Sequence, residues 1–379
     1  MRCKVEKQRK KPAYLQLYEK LKQDIVSGFY KFGTKLPSKR MTAAETDLSV
    51  ITVEHALSLL KEEGYIEPRE KSGYFVIFAP EKGFLGTHAA LFNHSEQEHR
   101  PEKNQKRRKD SSVLPVSPFP FSVFAKRARK VLSDYSEKIL EKSPNQGHPL
   151  LREAIRKYLL RSRGIEVELR QIIIGSGAEY LYSLIVELLG RERKFAIESP
   201  SYNKIGKVYS ASNVSCEMLP LENDGISSAA LWSSRASVLH VTPYRSFPSG
   251  VSATASKRHE YINWSDKRGR FIVEDDFESE FSVSGKTEET LFVLARRSNV
   301  IYLNTFSKTV SPALRIGYMV LPPKLASRFE KRLGFYSCTV PSYIQLILAE
   351  LLESGEFERH VNRVRQLLRN KKNVRSNNA

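Results

Sequence analysis

The sequence predicts an α/β protein with two domains, an N-terminal winged helix-turn-helix and a larger domain with a mixed, mostly parallel sheet. Residues 1–78 combine helical periodicity with one pair of alternating, strand-like segments. Residues 79–114 are rich in Lys, Arg, Glu, Gln and His and only weakly periodic, which predicts a linker. Residues 115–379 alternate short apolar strands with helical segments, a pattern typical of a parallel sheet covered by helices.

The first domain begins with a predicted helix in which apolar residues recur every four positions: Leu17, Leu21 and Ile25. Gly28 supplies its stop signal. Ser38 is a candidate N-cap for a short second helix that runs through Thr46, because a serine hydroxyl can accept from an unpaired N–H of the first turn. The sequence therefore predicts two helices before residue 47.

A third helix is predicted after Ser49, with one apolar face at helical spacing: Val53, Ala56, Leu57 and Leu60. When that face packs inward, Val50, Thr52 and His55 are left to enter a DNA major groove. The segment EEGYIEPREKSGYFV then alternates in a strand-like way around a turn at 71–73, which predicts the hairpin of a wing.

This domain resembles the GntR family of bacterial regulators, in YLQLYEKLKQDIVSGFYKFGTKLPSKR and SVITVEHALSLLKEEGYIEPREKSGYFV. The resemblance implies that DNA contacts come from the second helix, the start of the third helix and the wing: Ser38, Lys39, Arg40, Ser49, Thr52, His55, Gly73 and Tyr74. Many relatives have Arg at the position of Val50, so direct guanine reading at that position is not expected. A winged helix that makes only protein contacts is the alternative.

The net charge of the chain also favours a polyanionic partner. Its 379 residues contain 62 Lys and Arg against 42 Asp and Glu, a formal net charge of +20. Such an excess is typical of proteins that bind nucleic acid, and KRRK at 106–109 adds a candidate phosphate contact in the linker. On charge alone, a basic surface that is merely solvated is the other interpretation.

The sequence also indicates where the protein resides. It contains no run of 18 apolar residues, which argues against a membrane span, and no apolar segment follows the basic N-terminus as a secretory signal would. The three cysteines, Cys3, Cys216 and Cys338, lack the spacing of a metal site or a disulfide framework. We therefore expect a cytoplasmic protein without a metal centre.

In the large domain, polar residues follow several predicted strands. The strand QIIIG leads into the small-residue turn of Ser176, Gly177 and Ala178 and then a helix, an arrangement that offers N–H groups to a phosphate. By itself this signal is weak. ESPSY, TPYRSFPSG, EDDFESEF and NTFSK end further strands, and functional groups of such sheets gather beyond the strands' carboxyl ends.

These residue types together fit an aldehyde cofactor with a phosphate. A lysine such as Lys308 can form a Schiff base, and an aspartate such as Asp275 can hold a pyridine nitrogen protonated. Tyr202 can stack on the ring, and hydroxyls and an arginine can bind the phosphate: Ser176, Ser307 and Arg315. Taken singly, each side chain is more often a surface charge or a packing residue.

Residues from about 115 onward resemble fold-type I aminotransferases, which depend on pyridoxal 5′-phosphate (PLP). The motifs are IIIGSGAEYLY, ESPSY, TPYRSFPSG, EDDFESEF and NTFSKTVSPALRIGYMVLP. With the first domain, the chain is similar to the MocR subfamily of GntR regulators. The resemblance implies a homodimer, a Schiff base at Lys308, an Asp275 contact to the ring nitrogen, stacking by Tyr202 and a phosphate cup: Ser176, Gly177, Ala178, Ser307 and Arg315.

The chain departs from the family pattern at three places. Phe277 stands where relatives have a tyrosine whose phenol meets the cofactor's 3-oxygen. Tyr244, Arg245 and Ser246 replace the usual Ser-His type of sequence in the Pro-rich turn. The chain also ends at Ala379, so we expect the C-terminal subdomain, with its arginine for a substrate carboxylate, to be largely missing.

The sequence thus predicts a PLP-responsive regulator that binds operator DNA. GSGAEYLY and GFYSCTV resemble the branch that controls vitamin B6 synthesis, and the effector is expected to be PLP, an amine or an amino acid. Two alternatives remain from the sequence. One is an active aminotransferase with an accessory DNA-binding domain, and the other is a DNA-binding protein that has lost its cofactor.

Overall fold

The structure is a computed structural model and describes residues 12–69, 72–78, 119–267, 269–277, 279–281, 289–295 and 299–377. The predicted linker, 79–114, lies outside these residues. Across the described ranges, every helix is too short or too polar to cross a membrane.

The N-terminal domain has the winged helix-turn-helix architecture that the sequence predicts. Its elements are α1 (Ala13–Val26), α2 (Lys39–Thr46), α3 (Val50–Glu62), β1 (Ile66–Arg69) and β2 (Gly73–Val76). The Ser38 hydroxyl accepts a hydrogen bond from the Met41 N–H at 3.2 Å, which confirms the predicted cap of α2. The predicted core faces of α1 and α3 are also confirmed, since their apolar residues are buried in one cluster.

The large domain is an eight-stranded sheet with helices on both faces. Its strands are β3 (Ile172–Gly175), β4 (Phe195–Ser199), β5 (Cys216–Glu222), β6 (Gly225–Ile226), β7 (Val238–Val241), β8 (Phe271–Asp275), β9 (Val300–Thr305) and β10 (Gly317–Val320). Its helices are α4 (Phe121–Tyr135), α5 (Pro149–Arg163), α6 (Ala178–Leu189), α7 (Asn203–Ala211), α8 (Ser228–Ser233), α9 (Ala255–Ser265), α10 (Leu291–Leu294), α11 (Pro323–Leu333), α12 (Ser342–Glu353) and α13 (Glu356–Asn377).

The strand order is β3-β10-β9-β8-β7-β4-β5-β6. Strand β10 is antiparallel to both β3 and β9, and β6 is antiparallel to β5, while the other pairs are parallel. The predicted mixed, mostly parallel sheet is therefore confirmed. The inner strands β10, β9 and β7 are buried along their whole length, which explains their nearly continuous apolar sequence.

The strand register brings the polar strand ends to one edge of the sheet. Gly317, the first residue of β10, lies opposite both Gly175 at the end of β3 and Thr305 at the end of β9. Asp275, the last residue of β8, lies opposite Leu303 of β9. The turns that follow β3, β8 and β9 consequently share this edge with the segment that precedes β10.

The winged helix-turn-helix packs directly against the large domain. The backbone oxygen of Glu63, at the end of α3, accepts a hydrogen bond at 3.0 Å from the N–H of Ala255, the first residue of α9. The methyl group of Ala255 is part of the winged domain's core cluster. Lys22 of α1 forms an ion pair with Glu289, just before α10. No sequence pattern indicated this contact between the domains.

Candidate functional site

Lys308 lies just beyond the end of β9, in a partly buried position. Burial, together with the nearby positive charge of Arg245, lowers the pKa of its amine to about 8. The amine also lies 4.9 Å from the centre of the Phe277 ring. Lowering the pKa of a lysine increases its uncharged fraction at neutral pH, and the uncharged amine is the nucleophilic form.

Asp275 ends the neighbouring strand β8 and is only 5% exposed. The hydroxyl of Tyr182 donates a hydrogen bond to its Oδ2 atom, and Nε2 of His240 lies 3.6 Å from the same oxygen. Nδ1 of His240 is 2.5 Å from the hydroxyl of Tyr209. These contacts from α6, α7 and β7 fix the carboxylate, so that it can hold a protonated ring nitrogen in a set orientation.

A candidate site for an anion, here called the anion cradle, lies between β3 and α6. Gly177 precedes α6 with a φ of +95°, and a Cβ atom built there would be 3.0 Å from Nη2 of Arg315. Glycine at this position therefore lets the guanidinium approach the positive end of the helix. Ser176 and Ala178 flank Gly177, and Ser307 precedes Lys308 at the same sheet edge.

Sequence reasoning missed two charged residues of this cradle. Glu179, in the first turn of α6, accepts a hydrogen bond from Lys204 at 2.9 Å and forms an ion pair with Arg315. The signal that could have found Glu179 is its position in GSGAEYLY, directly after the small-residue turn.

Tyr202 is the N-cap residue of α7 and is 38% exposed. Its ring meets Phe247 edge to face, with 6.3 Å between the ring centres. The Lys204 amine lies 5.9 Å from the centre of the Tyr202 ring. The tyrosine is therefore partly exposed and lies near the anion cradle, because Lys204 also contacts Glu179.

The Pro-rich turn after β7 connects this edge to the rest of the domain. The buried hydroxyl of Ser246 donates a hydrogen bond to Glu198 of β4, which also accepts from the N–H of Thr242 at 3.3 Å. Burial raises the pKa of Glu198 to about 7. The hydroxyl of Tyr244 donates to the backbone oxygen of Glu289, the residue that pairs with the winged domain.

The acidic run after β8 contains a buried charge network that the sequence did not reveal. Nη2 of Arg163 lies 3.2 Å from Asp276 and 3.8 Å from Glu280. The Tyr302 hydroxyl donates to Asp276 at 2.6 Å. Burial raises the pKa of Glu280 to about 7, against the opposing effect of Arg163. The network anchors the segment that carries Phe277, since that residue lies between two of its members.

The predicted DNA-binding residues lie on α2, at the start of α3 and on the wing. Arg40 is exposed, whereas the Lys39 amine donates to Glu54 of α3 at 2.5 Å and lies 5.9 Å from the Tyr74 ring. The wing residue Gly73 has a φ of +109°, a conformation that favours glycine.

The start of α3 is capped and carries exposed apolar groups. The Ser49 hydroxyl accepts from the Thr52 N–H at 3.1 Å, and the two hydroxyls are 2.8 Å apart. The exposed ring of His55 stacks on Tyr14, with ring centres 4.0 Å apart. Ile51 is 79% exposed and could contact a thymine methyl group in a major groove.

Within the ranges that the structure describes, no group of three or more His, Cys, Asp or Glu side chains has the geometry of a metal site.

Two family models match the chain. The model for aminotransferase class I and II matches residues 118–377, and the model for bacterial regulatory proteins of the gntR family matches residues 13–76. The first match covers more than half of the chain. It confirms the aminotransferase-like fold that the sequence motifs indicated.

Several regulators are similar along nearly the whole chain. The HTH-type transcriptional regulator YhdI of Bacillus subtilis is 33% identical, over 97% of this chain and 78% of that protein. The probable rhizopine catabolism regulatory protein MocR of Rhizobium meliloti is 30% identical, over 96% and 76%. The pyridoxine biosynthesis regulator PdxR of Corynebacterium glutamicum is 28% identical, over 95% and 77%.

The solved structures similar to this chain include aminotransferases. An archaeal alanine:glyoxylate aminotransferase has a TM-score of 0.58 and 23% identity. LysN, the α-aminoadipate aminotransferase of Thermus thermophilus in complex with N-(5′-phosphopyridoxyl)-L-leucine, has a TM-score of 0.58 and 26% identity. The matches cover 64% and 67% of this chain, and the chain spans 62% and 65% of the length of those two proteins.

The identity to PdxR is lower than that to YhdI or MocR, so the assignment to vitamin B6 synthesis stays a prediction. The family follows from the order of the two matched domains and from the similarity to MocR along nearly the whole chain. The chain belongs to the MocR subfamily of GntR regulators, in which a winged helix-turn-helix precedes an aminotransferase class I and II domain.

Proposed function

We propose that this chain is a cytoplasmic transcription regulator that binds operator DNA as a homodimer and responds to PLP. The observation that carries the proposal is the placement of Lys308, Asp275 and the Arg315 cradle at one sheet edge in a chain that begins with a winged helix-turn-helix. The net charge of +20 is consistent with a DNA partner.

The residues at this edge fit the cofactor. When bound, PLP supplies an aldehyde that condenses with an amine and a pyridine ring that withdraws electrons. Lys308 offers an amine whose pKa is lowered to about 8, and Asp275 offers a fixed, buried carboxylate for the ring nitrogen. Arg315 and the N–H groups that precede α6 would hold the phosphate, and Tyr202 would cover the ring.

The contacts between the domains supply a route by which this site can bias DNA binding. The turn after β7 lies at the cofactor edge, and its Tyr244 bonds the backbone of Glu289. Glu289 pairs with Lys22 of α1. A ligand that moves this turn would therefore change the placement of the winged domain, and with it the half-site spacing that a dimer can engage.

One observation favours the second candidate function, an active aminotransferase. Lys308 and Asp275 are both present with the environment that PLP chemistry requires. Phe277 opposes this function, because it lacks the phenol of the related enzymes. A small-molecule effector other than PLP, such as an amine or an amino acid, would compete with the Lys308 amine for the aldehyde of the cofactor.

The experiment combines spectra with DNA binding. Purified protein is titrated with PLP while the visible absorbance band of the lysine-bound cofactor is recorded, and Lys308→Ala is compared with Lys324→Ala, which removes an exposed lysine of α11. We expect the band in the wild type and in Lys324→Ala only. Binding of a DNA fragment from the upstream region of the gene is then measured with and without PLP.

Each outcome separates the candidates. A PLP-dependent change in DNA affinity that disappears in Lys308→Ala supports the regulator. A band together with steady turnover of an amino acid and a keto acid supports the aminotransferase. Absence of the band from the wild type contradicts cofactor binding and leaves a DNA-binding protein without a cofactor.

A further inference from the structure

The anion cradle contains a negatively charged side chain of the protein itself, Glu179. Glu179 stands in the first turn of α6, and its two carboxylate oxygens contact Lys204 and Arg315. Arg315 is the arginine that lies against Gly177, and Lys204 follows Tyr202 at the start of α7. Glu179 therefore links Arg315, which would hold a cofactor phosphate, to Lys204 of α7.

The carboxylate is charged at neutral pH. Partial burial raises its pKa, but hydrogen bonds from Lys204 and Arg315 outweigh that effect and leave the pKa of Glu179 below its usual range. An acidic side chain in the first turn is also stabilised by the helix dipole. The groups that attract a phosphate, the helix terminus and two cations, are thus already partly compensated by Glu179.

We propose that Glu179 sets the affinity of this site for phosphorylated ligands by competing with the ligand phosphate for Arg315 and Lys204. The inference depends on the proposed function, since it assigns a role to Glu179 in the same site. A site weakened in this way exchanges its ligand, and its occupancy follows the ligand concentration. This property distinguishes a sensor from an enzyme that keeps its cofactor.

The opposite role is also chemically reasonable and gives the opposite result. If Glu179 only braces Arg315 in a phosphate-binding rotamer, its removal weakens the binding of phosphorylated ligands. If Glu179 only stabilises α6, its removal affects phosphorylated and dephosphorylated ligands alike. The comparison of PLP with pyridoxal therefore decides between competition and these two roles.

The test is a titration of Glu179→Gln with PLP and with pyridoxal, which has the same aldehyde and ring but no phosphate. Glu187→Gln is the matched control, because Glu187 lies on the same helix and pairs with Arg191 instead. We expect the Kd for PLP to fall about tenfold in Glu179→Gln, the effect of one charge on a nearby dianion across solvent. The Kd for pyridoxal should stay constant, and Glu187→Gln should match the wild type for both ligands.

An unchanged or higher Kd for PLP in Glu179→Gln overturns the proposal, as does an equal change for both ligands. If the wild type shows no absorbance band with either ligand, the proposed cofactor function fails on its own. Glu179 is then tested by calorimetry with inorganic phosphate, for which Glu179→Gln must bind more tightly than the wild type and Glu187→Gln must not. Equal phosphate binding by the three proteins overturns the role of Glu179.

Discussion

The guanidinium of Arg258 lies 3.8 Å from the carboxylate of Glu63, across the contact between the winged domain and the large domain. Both side chains are buried, and the Tyr18 hydroxyl donates to the same carboxylate at 2.7 Å. Arg258 also lies 5.5 Å from the ring centre of Tyr244, in the Pro-rich turn after β7. A single buried arginine thus contacts the end of α3 and the turn that follows β7.

Replacing Arg258 with Met is expected to lower the free energy of unfolding by about 3 kcal/mol, because it removes a positive charge from beside the buried Glu63 carboxylate. The measurement is urea unfolding followed by circular dichroism, together with limited proteolysis between the domains. In the double variant Glu63→Gln, Arg258→Met, part of this loss should be recovered.

Arg156→Met is the control for this change. Arg156 pairs with Glu153 at 2.7 Å on a partly exposed face of α5, and loss of such a pair has only a small effect on stability. If Arg258→Met unfolds with the same midpoint as Arg156→Met, the buried pair does not hold the domains together.

Replacing Phe277 with Tyr is expected to strengthen PLP binding about fivefold. The Phe277 ring lies beside the Lys308 amine, so a phenol there would reach the region of the cofactor's 3-oxygen, and one added hydrogen bond contributes about 1 kcal/mol. The Kd is measured by the absorbance titration.

A PLP analogue without the 3-oxygen is the control ligand for Phe277→Tyr. Its affinity should not differ between the wild type and the variant. A gain for the analogue equal to the gain for PLP would assign the effect to packing around Lys308 rather than to the new hydrogen bond.

Sequence patterns predicted what depends on local structure. Ser38 could be predicted as a cap because its hydrogen bond closes within three residues. The positions of Asp275 and Lys308 at strand ends could be predicted because Asp275 ends one apolar strand and Lys308 follows another. The pairs Glu179–Arg315 and Glu63–Arg258 could not be predicted. The two members of each pair are distant in sequence. From the sequence alone, an acidic residue in a polar segment is expected to be exposed to solvent, and only the packing of the helices shows its partner.

The rate of PLP binding is expected to increase with pH and to level off above about pH 8. The reason is that the uncharged amine is the nucleophilic form, and the pKa of Lys308 is lowered to about 8. The same shift affects stability, because lysines of the unfolded chain titrate near 10.5. Burial of the charged amine therefore costs stability below pH 8, and this cost disappears as the pH rises toward 10.5. Stopped-flow absorbance across this range gives the profile.

Replacing Arg245 with Gln should move this profile to higher pH, because the positive charge of Arg245 lowers the pKa of Lys308. The control is Arg235→Gln, which removes an exposed arginine of the same domain and should leave the midpoint in place. A profile that is identical in Arg245→Gln and the wild type would mean that burial alone sets the pKa of this lysine.

Replacing Arg40 with Ala is expected to weaken DNA binding in a way that depends on salt. Arg40 is exposed on α2, beside the cap residue Ser38, where a winged helix-turn-helix meets the phosphate backbone. Each lost phosphate contact makes the negative slope of log K against log salt concentration shallower by about 0.9. The slope is measured by fluorescence anisotropy with a labelled random-sequence duplex, and Arg235→Ala, which removes the same charge from the large domain, should retain the wild-type slope. An equal slope for Arg40→Ala and the wild type would place the phosphate contacts elsewhere on the protein.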